Sequence, residues 1–250
     1  MKNGLARFEY YLQKLEELLK KAGSQTNPAL WLYSNDARTP LFMLEGLSRL
    51  YAGMHNKKKF KNLQAHFKSL EDGLGKIDFY DSYAKQFADQ PAIPVSIMEY
   101  MQAEAREHLQ HMNDLLQQEN WLGEDADRLQ KIRKKLKNAK WLRPKEEVKA
   151  ISAFYEEVID SIIENYNKAP QPFTEMEDQV HELRRELRWL SIYPQALRGL
   201  IQLTETGMPG ASLQKYLVRE IVESRYNVMP DPGENKWFIL MEKNHFFALS

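Results

Sequence analysis

Apolar residues return every third or fourth position along almost the whole chain, and the strict alternation of a half-buried strand is nearly absent. Leu5, Phe8, Tyr11, Leu12, Leu15, Leu18 and Leu19 draw one face of a first helix that stops near Gly23. A linker, Ser24 to Asn27 before Pro28, precedes a second helix from about Asn35 to Tyr51. A third starts at Lys58 and passes Leu74, where Gly73-Leu74-Gly75 predicts a bend or break, since each glycine weakens a helix by about 1 kcal/mol. Gln90-Pro91 and Ile93-Pro94 mark the next joint, followed by predicted helices from Ser96 to Asn120, Asp125 to Trp141 and Pro144 to Asn167. Ala169-Pro170-Gln171-Pro172 is the clearest linker, and it divides the chain into an N-terminal bundle with a leading helix (1–168) and a C-terminal helical half (173–250). In that half the pattern predicts a helix from Thr174 into the 200s and a short one from Ala211 to Arg225. After Pro230-Asp231-Pro232-Gly233 it changes: Trp237 to Met241 and His245 to Leu249 read as a small hairpin around Glu242-Lys243-Asn244 or as a poorly formed last helix. The expected class is all-α.

Composition narrows this without supplying a function. With 43% hydrophobic and 28% charged residues in 250, the expectation is a soluble globular chain with room for a real core. No apolar run approaches the roughly 18 residues of a membrane helix. Met1-Lys2-Asn3-Gly4 leads into an amphipathic stretch rather than a signal peptide's apolar block, so a cytoplasmic location is expected. The absence of Cys removes disulfides, thiol nucleophiles, zinc fingers and iron–sulfur clusters together. Thirty-five basic residues balance thirty-five acidic ones, which argues against a uniformly basic nucleic-acid binder. Function must come from where the charges sit.

Catalytic motifs are missing. A phosphate-binding P-loop around Gly75-Lys76 would need a glycine at 70 and a hydroxyl residue at 77, but those positions hold Leu70 and Ile77. There is no dinucleotide-binding glycine fingerprint and no nucleophile elbow. A di-iron bundle needs two Glu-x-x-His pairs, and only Glu242 with His245 fits. The best metal-like cluster is Glu104, His108 and His111, spaced i, i+4 and i+7 on one helical face, as ligands of a divalent ion would be. Glu107 and Asp114 flank it and no second His pair completes a shell, so a hydrated polar face is the simpler reading. Asp78 and Asp81 are read in the same way, as salt bridges or caps before Mg²⁺ ligands. No cofactor is expected, and a metal-dependent hydrolase built on Glu104, His108 and His111 is the weakest functional reading.

A helical wheel at 100° per residue places cations beside several core lines. After Thr174 the core line is Val180, Leu183, Leu187 and Leu190, flanked by His181, Arg184 and Arg188. After Lys58 it is Phe60, Leu63, Phe67, Leu70 and Leu74, with Lys57, Lys61 and Lys68 on the flank. After Asp125 it is Leu129, Ile132, Leu136 and Ala139, with Arg133, Lys137 and Lys140 beside it. From Lys131 to Lys149 stand nine basic and two acidic residues, a local excess of seven in a protein whose totals balance. Helix flanks are where Lys and Arg ordinarily sit, stems over the core edge and heads in water. Yet cations this dense repel one another, and a polyanion would relieve the repulsion. Arg184 and Arg188 add bidentate phosphate geometry, and His181 adds a donor that strengthens below about pH 6.5.

The segment His181-Glu-Leu-Arg184-Arg185-Glu-Leu-Arg188-Trp-Leu resembles the H-x-x-R-x-x-x-[KR] helix of CHAD domains, the conserved-histidine α-helical domains. An offset of 146 residues sets Asn35, Arg38, Leu41 and Leu44 under His181, Arg184, Leu187 and Leu190, as an internal duplication would. Leu74-Gly75-Lys76-Ile77-Asp78 is similar to the L-G-x-x-R-D element closing the family's first repeat. The resemblance implies two pseudo-repeated antiparallel helical bundles that bind inorganic polyphosphate along a basic central groove without turning it over. It carries over Arg38, His181, Arg184 and Arg188; Lys57, Lys61, Arg133, Lys137 and Lys140 come from the wheel alone. The chain departs from the pattern at Asn35 for His, at Phe42 opposite Arg188, at the acid Glu45, and at Asp78 and Phe79 in the closing element. Those departures support an alternative, a degenerate CHAD-like scaffold for a protein partner with Trp141 and Trp189 as interface anchors.

Overall fold

The computed structural model describes residues 2–88, 90–123, 127–170, 172–205, 210–224, 227–232 and 235–249. The chain is 74% helix and 3% strand, which makes it all-α. In chain order the helices are α1 (Asn3–Gly23), α2 (Pro28–Ser34), α3 (Arg38–Met54), α4 (Lys57–Ala88), α5 (Val95–Gln118), α6 (Asp127–Lys137), α7 (Pro144–Lys168), α8 (Glu182–Ala196), α9 (Ala211–Gln214), α10 (Arg219–Val222) and α11 (Lys243–Ala248). Asp125, the expected start of the helix that contains α6, lies outside the described residues. A π-helical turn, Met176–His181, leads into α8, and two short strands, β1 (Ile201–Thr204) and β2 (Ile239–Glu242), lie near the end. Among the described residues no helix is long and apolar enough to cross a membrane. The chain forms two compact units that do not follow sequence order. The first comprises Met1–Arg7, Arg49–Lys57 and Trp141–Ser250, and the second Phe8–Ser48 and Lys58–Lys140. The linker at 169–172 therefore lies within the first unit; its Gln171 is outside the described residues.

In the second unit the three-and-four spacing becomes a core. Phe8, Leu12, Leu15 and Leu19 of α1, Leu41, Leu44 and Leu47 of α3, and Leu129, Ile132 and Leu136 of α6 are all buried. So is the entire expected line on α4, Phe60, Leu63, Phe67, Leu70 and Leu74. The second predicted helix, from about Asn35 to Tyr51, is α3, and a short helix that the pattern does not predict, α2, precedes it. Asn27 caps α2 by accepting from the Leu30 amide, and a turn with Asp36 at φ 54° separates α2 from α3. Asn113 on α5 ties that cap down, donating to Asn27 Oδ1 at 2.9 Å and accepting from the Ala29 amide at 2.9 Å.

The break expected at Gly73-Leu74-Gly75 does not occur, and α4 runs unbroken from Lys57 to Ala88. Packing overrides propensity because both glycines are close approaches. A methyl group on Gly73 would lie 2.8 Å from Met112 Sδ, and one on Gly75 would lie 3.1 Å from Arg38 Nη2. The glycines admit a neighbouring helix and a guanidinium rather than ending the element.

In the first unit a buried polar cluster joins three chain segments. Arg7 Nε donates to the Leu197 carbonyl at 2.7 Å and Nη1 to Tyr51 Oη at 3.0 Å. Tyr51 in turn donates to Glu147 Oε1 at 2.6 Å, and Arg7 Nη1 lies 3.0 Å from Glu147 Oε2. Arg7 is 5% exposed and Glu147 1%. Burial opposes the guanidinium's charge, but Tyr51 and Glu147 outweigh it and hold Arg7 protonated. Burial pushes the Tyr51 hydroxyl well up, so it acts as a fixed donor. Trp141 packs edge-on against Tyr51 and His55, at 5.2 and 5.5 Å between ring centroids.

The C-terminal region departs from expectation. The helix predicted from Thr174 begins with the π-helical turn and stops at Ala196, just before Arg198 and Gly199 take positive φ. The helix expected over Ala211–Arg225 is two single turns, α9 and α10; Arg225 lies outside the described residues, as does Gly233 of the Pro230 segment. There is no hairpin around Lys243. Instead β2 pairs in parallel with β1, Ile201 opposite Ile239 through Thr204 opposite Glu242. Lys243 onward turns helical and buries Phe246 and Phe247. A parallel pair needs a long crossover, which residues 205–238 provide, and local alternation carries no sign of so distant a partner.

Removing Glu147 leaves a buried cation with one partner fewer. Glu147→Ala is expected to cost about 3–5 kcal/mol in urea unfolding, and the double change Arg7→Met with Glu147→Ala to recover part of that loss. Equal destabilisation by the single and double variants would show that the cluster acts through shape rather than charge.

Candidate polyanion interface

The expected basic residues fall into three groups. Arg38 and Arg133, in the second unit, are engaged with acids. Arg38 donates from Nε and Nη2 to Glu71 Oε1 at 3.1 and 2.7 Å and from Nη1 to Asp78 Oδ2 at 2.8 Å. Tyr33 donates to Asp81 beside it at 2.7 Å, and burial together with Asp81 and Asp78 pushes its hydroxyl up to about 12. The surroundings of Arg38 are thus acidic. Arg133 donates from Nε to Glu9 Oε1 at 2.9 Å and from Nη2 to Glu16 Oε2 at 3.0 Å, and its side chain is only 12% exposed. The hydrogen bond from Arg133 holds the Glu16 carboxyl below the usual glutamate range.

His181, Arg184 and Arg188 lie in the first unit. His181 closes the π-helical turn and is half-buried, whereas Arg184 and Arg188 on α8 are less enclosed than the core line they flank. Of the core line expected there, only Leu190 is buried, and Val180 falls in the π-helical turn, where the 100° wheel does not hold. Leu183 instead lines a shallow cavity of about 150 Å³ with Asp178, Glu182 and Glu186, so acids share the surface of this helix with its arginines. Trp189 stacks on Tyr193 at 5.7 Å with the Arg49 guanidinium 4.5 Å from its ring centroid. Neither Trp141 nor Trp189 belongs to the buried core, and each has aromatic partners within its own unit.

The third group is the lysines. Lys57, Lys61, Lys137 and Lys140 are all exposed. Their helices meet through a residue outside the wheel's flank: Lys59 Nζ reaches the Lys135 and Asn138 carbonyls, each at 3.4 Å, at the C-terminal end of α6. A cation is well placed there, since the last carbonyls of a helix carry its negative dipole end. The contact brings the first turns of α4 beside the last turns of α6 within the second unit. From His55 to Leu70 and from Arg128 to Lys145 the sequence contains no acid. Among the described residues, Lys58, Lys61, Lys134, Lys135 and Lys137 have no carboxylate partner. A wheel that selects one flank of each helix misses Lys58, Lys134 and Lys135. The acid-free runs are the signal that finds them.

The metal-like cluster does not converge. His108 Nε2 lies 3.9 Å from Glu104 Oε2 while its ring stacks on Tyr80 at 5.2 Å, and His111 Nε2 lies 3.8 Å from Glu107 instead. No group of three or more potential ligands able to hold a metal occurs among the described residues. Asp78 and Asp81 are engaged by Arg38, Tyr33 and Lys85.

No family model, curated protein or solved structure matches this chain. Function has to be argued from geometry.

Two expectations separate structural from ligand-facing cations. Arg38→Ala strands the buried Glu71 carboxylate and should cost on the order of 2–3 kcal/mol in denaturant unfolding, less than a fully buried pair because Arg38 is 30% exposed, while leaving polyanion binding unchanged. The Glu16 carboxyl is depressed in the folded state, so its contribution to stability is present above the unfolded pKa of about 4.5 and is lost as pH falls through the lower folded value. Glu16→Gln should thus lower stability at pH 6 and converge with wild type in strong acid. A difference that persists there would assign the loss to packing.

Proposed function

We propose that this chain is a non-catalytic binder of a linear polyanion, inorganic polyphosphate being the ligand implied by the CHAD resemblance. On this reading it is a divergent, cytoplasmic CHAD-like protein of two pseudo-repeated bundles. The observation that carries the proposal is the Lys59 contact, which joins the parts of the two acid-free lysine runs that lie in the second unit, Lys58 to Leu70 and Arg128 to Lys140, into one surface.

The physics favours an anion at that surface. The first turn of α4 holds Lys57, Lys58 and Lys59 and no acid, although acids are the residues that stabilise the positive end of a helix dipole. Each misplaced cation there costs a few tenths of a kcal/mol, a cost that a bound polyanion reverses. Lysine ammonium groups act as point charges on flexible stems, suited to a repetitive backbone rather than to one fixed phosphate. The face also lacks stacking platforms: Phe60 and Phe67, the aromatic side chains of these α4 turns, are fully buried, and α6 has none. Single-stranded nucleic acid gains about 1–3 kcal/mol per base from exposed rings, so this face favours a polyanion without bases.

Titration with long-chain polyphosphate at two salt concentrations tests the reading. Binding should weaken steeply with salt, and replacing Lys58, Lys61, Lys134 and Lys137 by Gln should reduce the log–log slope by roughly 0.7 for each phosphate that is no longer neutralised. Loss of binding in Arg184→Ala/Arg188→Ala instead would move the site to α8. No binding at low salt would reject the proposal and leave a protein-partner scaffold as the reading to pursue.

A further inference from the structure

The shallow cavity beside α8 is built from the end of α7, the segment after it and the π-helical turn that leads into α8, all within the first unit. Tyr166 and Phe173 line it as an edge-on pair, with ring centroids 5.9 Å apart and planes at 78°. In such a pair the ring that offers its edge keeps its own faces clear of its neighbour, and the face of an aromatic ring attracts a cation. Every charged side chain in the lining is an acid: Asp178, Glu182 and Glu186. Arg185 answers Glu182 at 2.6 Å from outside the lining. Glu186 accepts a long hydrogen bond from Asn165 Nδ2 at 3.5 Å, and neither it nor Asp178 has a cationic partner among the described residues. These carboxylates do not converge, since no group of three or more potential ligands able to hold a metal occurs among the described residues. A compact divalent ion therefore lacks a shell, and a primary ammonium lacks acceptors gathered around its three N–H groups. A quaternary ammonium donates no hydrogen bond and carries its charge behind methyl groups, so ring faces and a negative field suffice for it.

We propose that this cavity binds a small quaternary ammonium compound, its trimethylammonium head against Tyr166 and Phe173 and its charge balanced by Asp178 and Glu186. A cavity of about 150 Å³ holds a benzene-sized group, and a trimethylammonium head is of that size. The rings supply contact and the carboxylates supply field. At an exposed site such as this, one ring face adds about two- to fivefold in affinity. The carboxylate contribution is screened by salt, so binding weakens as ionic strength rises. The lysine face belongs to the second unit, so the two ligands are assayed separately.

The test titrates the full chain at low salt with choline, with its uncharged isostere 3,3-dimethylbutan-1-ol and with ethanolamine, by calorimetry and through the Tyr166 ring signals in NMR. Choline should saturate the site, and the alcohol and ethanolamine should each bind several-fold more weakly. Tyr166→Leu should lose about two- to fivefold in choline affinity and Tyr166→Phe nothing, because the ring face rather than the hydroxyl makes the contact. Asp178→Asn combined with Glu186→Gln should weaken choline several-fold and leave the alcohol unchanged. Tyr166 is 46% exposed and Asp178 is exposed, so thermal melts of these variants should match wild type. If Tyr166→Leu melts early, the carboxylate variant decides the outcome alone. Equal affinity for choline and the alcohol would make the cavity a merely apolar cleft, and tighter ethanolamine would make it a hydrogen-bonding amine site. Either result, or no saturable choline binding, would overturn the proposal.

Discussion

A guanidinium taken out of water has to keep its charge answered, and that requirement decides which cations this protein leaves on its surface. Arg7 is answered by Glu147, Tyr51 and a backbone carbonyl. Arg38 is answered by Glu71 and Asp78, Arg133 by Glu9 and Glu16, and Arg128 by Glu119. Breaking a fully buried pair such as Arg7 with Glu147 costs about 3–5 kcal/mol and a partly exposed one less, so these arginines are committed to structure and are poor candidates for a ligand that must compete with a carboxylate already in place. The rigid, five-donor fork that makes arginine the better phosphate ligand also makes it the better internal strut. In the second unit Arg38, Arg128 and Arg133 serve as struts, and the lysines around α4 and α6 are left facing solvent.

The same constraint explains why net charge is uninformative. Acid and base balance over the whole chain, yet the acids are spent unevenly. Some neutralise the buried arginines, and others sit one helical turn from a lysine, as Asp72 does for Lys68 and Asp81 for Lys85. Exposed i,i+4 pairs contribute little to stability, a few tenths of a kcal/mol. They do cancel local field, however, so field survives only where a run of sequence holds lysines and no acid. The start of α4 and the part of α6 after Asp127 are such runs, and the Lys59 side chain brings them together.

Much of the fold was legible because its determinants are local. The apolar lines on α1, α4 and α6 required only periodicity, and the helix class followed from them. What escaped depended on distant partners. Gly73 and Gly75 look like breakers until Met112 and Arg38 are seen to occupy the space they leave. Ile239–Glu242 looks like half of a hairpin until Ile201–Thr204 is found beside it. The site divided in the same way. Exposure of Lys61 and Lys137 could be read from a wheel, but whether Arg38 or Arg133 faced solvent depended on carboxylates 33 and 117–124 residues away in sequence. The wheel also fails at the start of α8, because His181 belongs to a π-helical turn while Arg184 and Arg188 belong to the regular helix.

Sequence separation also orders the polar contacts by what they can do. Pairs four residues apart fray and re-form with the helix that carries them, and so leave a surface adaptable. Contacts spanning scores of residues, such as Arg7 with Glu147 and Arg133 with Glu16, exist only once the tertiary fold exists. Lys59 belongs to the second kind, since its carbonyl acceptors lie 76 and 79 residues on. A lysine that reaches backbone carbonyls fixes two helices together and adds no negative charge there. That is the arrangement a persistent positive surface requires: the strut holds the geometry, and the field of its neighbours stays available to an anion.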